Sequence, residues 1–217
     1  MTSTPEPPPL SEPPPSNRRA FLRKIPRDLI SMAVAIAVVL VARSSLANHY
    51  VVPSGSMLPT VRIGDRVLVD KTAYGLRLPL ANGYLIERAG PARGDVIVLE
   101  SPDSGIVLLK RVVALPGDTV AVRDGRVSID GHVAPIHERL GAVEEELDGR
   151  SHPVDIARYG GPDFGPVVVP RGRYLVLGDN RGDSRDGRAF GFVARGAILG
   201  RAERVYFRDG GLSWVDL

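Results

Sequence analysis

The amino-acid sequence predicts a mostly β protein: an antiparallel β-sheet domain behind a single N-terminal transmembrane helix. Three observations carry that reading. A charge-free apolar run lies near the N-terminus, from Leu29 to Ala42. Beyond residue 50, short apolar and β-branched runs recur at close intervals without sustained helical periodicity. Asp-Gly pairs punctuate those runs at 124–125, 130–131, 148–149, 186–187 and 209–210, and Asp-Gly between two alternating runs is a hairpin signal.

Taken in order, residues 1–17 hold seven prolines and almost nothing apolar. Such a segment cannot bury a core and is expected to be disordered. A basic cluster follows: Arg18, Arg19, Arg23, Lys24 and Arg27. The apolar run then begins at Leu29, is interrupted by Arg43, and continues in small or apolar residues to Ala47. Its charge-free part alone suits a signal-peptide core. Counted through Ala47, nineteen residues are long enough to span at about 1.5 Å each, with Arg43 snorkelling to the outer interface. The preceding positive cluster puts the N-terminus in the cytoplasm and the remainder outside. Two rival readings make the mature protein free: a twin-arginine export signal around Arg18-Arg19, and a small-x-small cleavage site at Ser45-Leu46-Ala47. The uncleaved anchor is the reading adopted. It gives a tail over 1–27, an anchor over 28–48 and an extracytoplasmic domain over 49–217.

Within that domain the predicted strands are Arg66–Val69, Asp95–Leu99, Ile106–Leu115, Thr119–Val122, Arg126–Ile129, Val167–Val169, Tyr174–Leu177 and Ala197–Phe207. Asp124-Gly125 is the clearest hairpin turn. One short helical stretch is expected near Glu138–Leu147. Residues 132–166 are richer in Gly, Pro and charge and read as a variable excursion from the sheet.

Composition narrows the function classes. The net charge of +3 is scattered, with no basic stripe interleaved with aromatics, so nucleic acid is not an expected partner. The absence of cysteine excludes disulfides, thiolate metal sites and a cysteine nucleophile. The four histidines, His49, His132, His137 and His152, fall outside the chemical motifs and in no metal-binding spacing. They are expected at the surface, and no metal or cofactor is expected. Only three lysines occur, Lys24, Lys71 and Lys110, against 25 arginines. Lysine can be deprotonated in a protein and arginine cannot, so each lysine invites a chemical question.

Three segments carry chemistry. In Val52-Pro53-Ser54-Gly55-Ser56-Met57-Leu58-Pro59-Thr60, two prolines and a glycine fix an irregular backbone. Such a loop holds a hydroxyl in the open beside backbone N–H groups, the parts of an oxyanion hole. By itself such a string is more often a linker. In Val107–Leu115, Lys110 stands inside an apolar strand. Burial there lowers a lysine from about 10.4 toward the range of about 7–8 that a general base needs. The other reading turns Lys110 outward from a half-buried strand. Because side chains alternate, Lys110 and Arg111 face opposite sides, and one of them must face inward or toward a cleft. The third segment, Gly178 to Arg188, alternates acids with arginines, which favours an ion-paired loop over a cation site.

In this order, behind an apolar segment, the three resemble the boxes of bacterial type I signal peptidases. Pro53-Ser54-Gly55-Ser56-Met57-x-Pro59-Thr60 looks like the nucleophile box. Lys110-Arg111-Val112-Val113-Ala114-Leu115-Pro116-Gly117-Asp118 looks like the lysine box. Gly178-Asp179-Asn180-Arg181, Ser184, Asp186, Arg188 and Gly191-Phe192-Val193 look like the last box. Ile63-Gly64-Asp65 and Gly94-Asp95-Val96 match family strand starts. Three boxes in register outweigh the linker and surface-strand readings. Gly182, Asp183, Gly187 and Phe190 depart from the residues common in the family.

The resemblance implies a membrane-anchored serine endopeptidase that removes signal peptides from exported preproteins, cutting after small-x-small, at the outer face of a lipid bilayer. By matched position, Ser56 is the nucleophile and Lys110 the general base. Ser54 and the Ser56 N–H form the oxyanion hole, and Ser184 orients Lys110. Asp186 and Arg188 brace the loop, and Gly178 permits close packing. Tyr50, Val52, Pro53, Met57 and Leu109 line the substrate pockets. A processing peptidase dedicated to one substrate and a catalytically dead binding domain are the competing readings. The intact Ser56–Lys110 pair and complete last box argue against both.

Overall fold

The computed structural model describes residues 29–32, 35–36, 47–77, 84–139, 141–156 and 160–217. Two compact units divide the chain, residues 1–40 and 41–217. In the first, residues 29–32 and 35–36 are helical. Among the described residues no helix is long and apolar enough to cross a membrane. The tail over 1–27 and most of the anchor over 28–48 lie outside the described residues.

The second unit is built of antiparallel strands. Its main sheet runs in the order β1 (Ala47–Val51), β2 (Arg66–Asp70), β16 (Ile198–Arg208), β5 (Val96–Glu100), β6 (Val107–Ala114), β14 (Arg173–Leu177) and β15 (Val193–Ala194), and β17 (Gly211–Asp216) also pairs with β16. A four-stranded sheet comprises β13 (Phe164–Val168), β7 (Thr119–Arg123), β8 (Arg126–Ile129) and β9 (His132–Val133). A ribbon of β10 (Ile136–Arg139), β11 (Ala142–Leu147) and β12 (Arg150–Pro153), and a pair β3 (Gly75–Arg77) with β4 (Tyr84–Glu87), complete it. All eight predicted strands are present, one with both ends as expected and the others with ends displaced by at most three residues. The short helix expected near Glu138–Leu147 is not formed. That segment is part of β10 and all of β11, because Glu145 and Leu147 are buried two residues apart, the period of a strand.

Four of the five Asp-Gly pairs lie at positive φ in both residues, as at Asp124 (+48°) and Gly125 (+76°) between β7 and β8. This is the backbone of the hairpin turn whose twist matches the strands. The fifth departs from the expectation: Asp186 caps the short helix Gly187–Phe190.

A second device recurs at Gly64-Asp65, Gly94-Asp95 and Gly117-Asp118. Each glycine has φ near +90°, as the third position of a tight turn requires. Each aspartate then accepts a hydrogen bond from the amide three residues earlier: Arg62, Ala92 and Leu115. The first two turns launch β2 and β5, the third β7.

β5 is buried on both faces. Val96 and Val98 join an apolar cluster with Met57, Val67 and Val205, while Ile97 and Leu99 join another with Tyr74 and Ile198. A strand covered on two sides needs a near-continuous apolar run, and Val96–Leu99 supplies it.

Candidate active site

The Val52–Thr60 segment is pinned to the core at its first residue. The Val52 amide donates to the Asp65 carbonyl and the Gly64 amide to the Val52 carbonyl. Met57 is 1% exposed and packs beneath β2 and β5, a burial that contributes roughly 1.5–3 kcal/mol. With Val52 and Met57 turned inward, Ser54 remains exposed and Ser56 half-buried. Their Oγ atoms are 3.5 Å apart.

Lys110 reaches this loop from β6. It is 2% exposed, and its Nζ contacts Ser56 Oγ at 2.6 Å and donates to the Leu109 carbonyl at 2.9 Å. Burial pulls the amine down from its ordinary value near 10.5 to about 8, with the charges of Asp186 and Asp179 partly opposing it. A substantial fraction of neutral amine therefore exists at mildly alkaline pH.

Arg111, the next residue, is also buried, at 3%. Its Nε and second terminal nitrogen each donate to Asp179 at 2.8 Å, and its other terminal nitrogen donates to the Gly94 carbonyl. Asp179 also accepts from Thr60 Oγ1 at 2.5 Å. Burial opposes ionisation of Asp179, but the Arg111 charge outweighs it and holds the carboxyl below its usual range. This pair ties the lysine strand, the nucleophile box and the last box together.

The last box lies against the nucleophile loop. The Asn180 amide donates to the Ser56 carbonyl at 3.2 Å, and Asn180 Nδ2 to the Gly55 carbonyl at 3.1 Å. A methyl group on Gly178 would collide with the Ser56 carbonyl and with Ser184 Oγ, so only glycine allows this approach. Asp186 and Arg188 form an ion pair with both side chains fully buried, N···O 2.8 Å. Asp186 also accepts from the Gly178 amide. At Gly187 a Cβ would lie 2.7 Å from Leu175 and 2.8 Å from the Val176 carbonyl. Ser184 Oγ is buried without a hydrogen-bond partner, and the bond expected from it to Lys110 is not formed.

One cavity, of about 280 Å³, opens beside the serine. Tyr50, Val52, Pro53, Met57 and Leu109 all line it, with Ser54, Ser56 and Lys110 at its edge. On the strand below, β14 pairs with β6 only from Arg111 onward. Val107–Lys110 are therefore paired with β5 on one side alone among the described strands.

Three partnerships were not foreseen from sequence: Arg111 with Asp179, Asn180 with the Gly55–Ser56 carbonyls, and Glu145 with Arg181. Alternation along Val107–Ala114 bears on the first, because two adjacent cations in an apolar strand must enter opposite faces. His152 corrects another expectation: His49, His132 and His137 are exposed, but His152 is 5% exposed and lies 3.4 Å from Glu145. Its strand β12 is in register with β11, which sets it opposite Glu145. Among the described residues no cluster of His and acidic groups is arranged to hold a metal ion.

The family model described as signal peptidase, peptidase S26, matches residues 26–207. A signal peptidase I of Pseudomonas fluorescens is 37% identical over 207 residues, covering 82% of this chain and 69% of that protein. Its counterpart from Pseudomonas aeruginosa is 36% identical over 202 residues, with the same coverage. Signal peptidase I T of Bacillus subtilis is 34% identical over 179 residues, 82% of each chain. Matched over most of its length in this way, the chain belongs to the S26 signal peptidase family and is a serine peptidase, a hydrolase.

Proposed function

We propose that this chain is a membrane-anchored endopeptidase that removes signal peptides from exported preproteins through a Ser56–Lys110 dyad. The observation that carries the reading is the 2.6 Å contact between Lys110 Nζ and Ser56 Oγ, with the amine buried. Only a neutral amine accepts the serine proton, and desolvation is what favours neutrality.

The steps follow from those positions. Lys110 takes the Ser56 hydroxyl proton as Oγ attacks the carbonyl carbon of the scissile bond. The resulting oxyanion is received by the Ser54 hydroxyl and the Ser56 N–H. Lys110, now protonated, gives its proton to the leaving amine, and the C–N bond breaks. A water then gives a proton to Lys110 and adds to the ester. Collapse releases the new carboxylate and returns the proton to Ser56. Asp179, Asp186 and Arg188 take no proton; they hold the loop behind the dyad.

Substrate form follows from the cleft. The unpaired edge at Val107–Lys110 suits an extended peptide added as a strand. Side chains on alternate positions then enter the cavity, which gives the one-and-three spacing of small residues before the cut. The 28–48 anchor would hold the domain at the outer bilayer surface, where such preproteins emerge.

The test is cleavage of a preprotein in detergent by Ser56→Ala and Lys110→Met. The methionine keeps the apolar bulk and removes the amine. Both variants should lose at least about 1,000-fold in kcat while remaining folded. Activity surviving in Lys110→Met alone would require another base. Survival in both would overturn the dyad and leave the chain a binding domain.

A further inference from the structure

The 132–166 segment, an excursion by sequence, sends one charged side chain into the middle of the protein. Glu145 on β11 is 0% exposed and forms a bidentate ion pair with Arg181, which is 1% exposed. Burial disfavours the Glu145 carboxylate, yet Arg181 outweighs that and holds its pKa at about 2, so the pair is ionised. Arg181 spends its other donors on backbone: Nε donates to the Gly178 carbonyl at 3.2 Å, and a terminal nitrogen donates to the Gly125 carbonyl at 2.5 Å. The same strap also binds by backbone. The Asp155 amide donates to the Asp179 carbonyl, and the Arg181 amide to the Asp155 carbonyl.

The chain of contacts ends on the serine. Gly178, held by Arg181, packs on the Ser56 carbonyl, and Asn180 donates to the Ser56 and Gly55 carbonyls. Neither Glu145 nor Arg181 lines the substrate cavity. Their contacts reach the reacting groups through the Gly178–Asn180 backbone that packs on Ser56.

Resting on the dyad reading above, we infer that Glu145 is a positioning residue for the nucleophile: by orienting Arg181 it presses Gly178–Asn180 against the Gly55–Ser56 carbonyls and sets Ser56 Oγ at the lysine. The inserted ribbon is then a working part of the active site, and not decoration on the sheet. A displacement of about 1 Å at a reacting group costs about 100-fold in rate. The signature is a fall in kcat with KM unchanged, since binding surfaces are untouched.

The experiment uses the full chain in detergent and compares Glu145→Gln with Glu146→Gln, whose neighbouring carboxylate is half-exposed and faces His137. Glu145→Gln keeps the volume and removes the charge. It should lower kcat about 10- to 100-fold with KM within about twofold, and speed hydrogen exchange at the Asn180 amide. Glu146→Gln should match wild type. A folded Glu145→Gln with wild-type kcat overturns the inference. Where the stranded Arg181 charge prevents folding, the double variant Glu145→Gln/Arg181→Met removes it. Low kcat in that folded double variant supports the coupling, and wild-type kcat overturns it. If the wild-type chain does not cut, the dyad reading itself fails, and exchange alone decides: unchanged protection of Asn180 in Glu145→Gln ends the positioning role.

Discussion

Lys110 and Arg111 are consecutive residues on one strand, and both are buried, at 2% and 3% exposure. They are treated in opposite ways. Arg111 meets a carboxylate, Asp179, at 2.8 Å and stays charged. Lys110 meets a hydroxyl and a carbonyl, and its pKa falls to about 8 because burial outweighs the more distant charges of Asp186 and Asp179. Alternation along the strand makes this separation available to two neighbours.

A pH dependence follows from the lysine. With Lys110 as the proposed base, activity needs its neutral amine, so kcat/KM should rise with pH through a single ionisation near 8 and then level. The stability sign runs the same way. A lysine depressed in the folded state carries fewer protons than in the unfolded chain between about 8 and its ordinary 10.5. Stability contributed by this group therefore rises with pH across that window and is lowest below it. Lys110→Met removes the titration. Its stability relative to wild type should be greatest below pH 8 and shrink by on the order of 3 kcal/mol toward pH 10.5. Denaturant unfolding of both proteins at pH 6.5 and pH 10 checks this; a constant difference would mean the amine is not desolvated.

Leu109, next to Lys110 on the strand, packs against the Val52 and Met57 cluster and lines the cavity of about 280 Å³. Trimming it to alanine enlarges the space without touching the dyad. The Leu109→Ala variant should therefore accept a larger side chain, such as valine or leucine, at the position before the cut. A gain of about 10-fold or more in relative kcat/KM over an alanine substrate is expected, since a methylene or two in such a pocket is worth 1–3 kcal/mol. Matched peptides differing at that one position measure the ratio. An unchanged ratio would place the specificity wall elsewhere.

Much of the sheet was legible because its signals are local. Val96–Leu99 and Tyr174–Leu177 are apolar throughout, and the Asp-Gly turns at 124–125 and 209–210 need only two adjacent residues to specify their φ. The helix expected at Glu138–Leu147 failed for a non-local reason: Glu144, Glu145 and Glu146 look alike in sequence, and only tertiary pairing selects the middle one for burial. The proposed pairing of Ser56 with Lys110 came from family resemblance, not periodicity. No pattern within Val107–Leu115 says that Lys110 meets a serine 54 positions away. The Arg181–Glu145 and Arg111–Asp179 pairs escaped notice for the same reason, since each joins segments distant in sequence and the chain offers many alternative acids and arginines.

Asp186 gives the sharpest test of the field around the lysine. It caps the helix at Gly187, pairs with Arg188 at full burial and accepts from the Gly178 amide. After desolvation, its charge is the largest influence on Lys110, and it favours the protonated amine. Asp186→Asn removes that charge while keeping the shape. The protonated amine then loses support, so the rise of kcat/KM with pH should move to lower pH. Stability should fall by roughly 3–5 kcal/mol, because Arg188 is left buried and unpaired. Adding Arg188→Met removes the stranded cation and should recover part of that loss. The midpoint of the pH profile, read well below the unfolding temperature, separates the two effects, because loop damage lowers the plateau and a changed field moves the midpoint. A lowered plateau with an unmoved midpoint would show that the loop, and not the charge of Asp186, is what the dyad depends on.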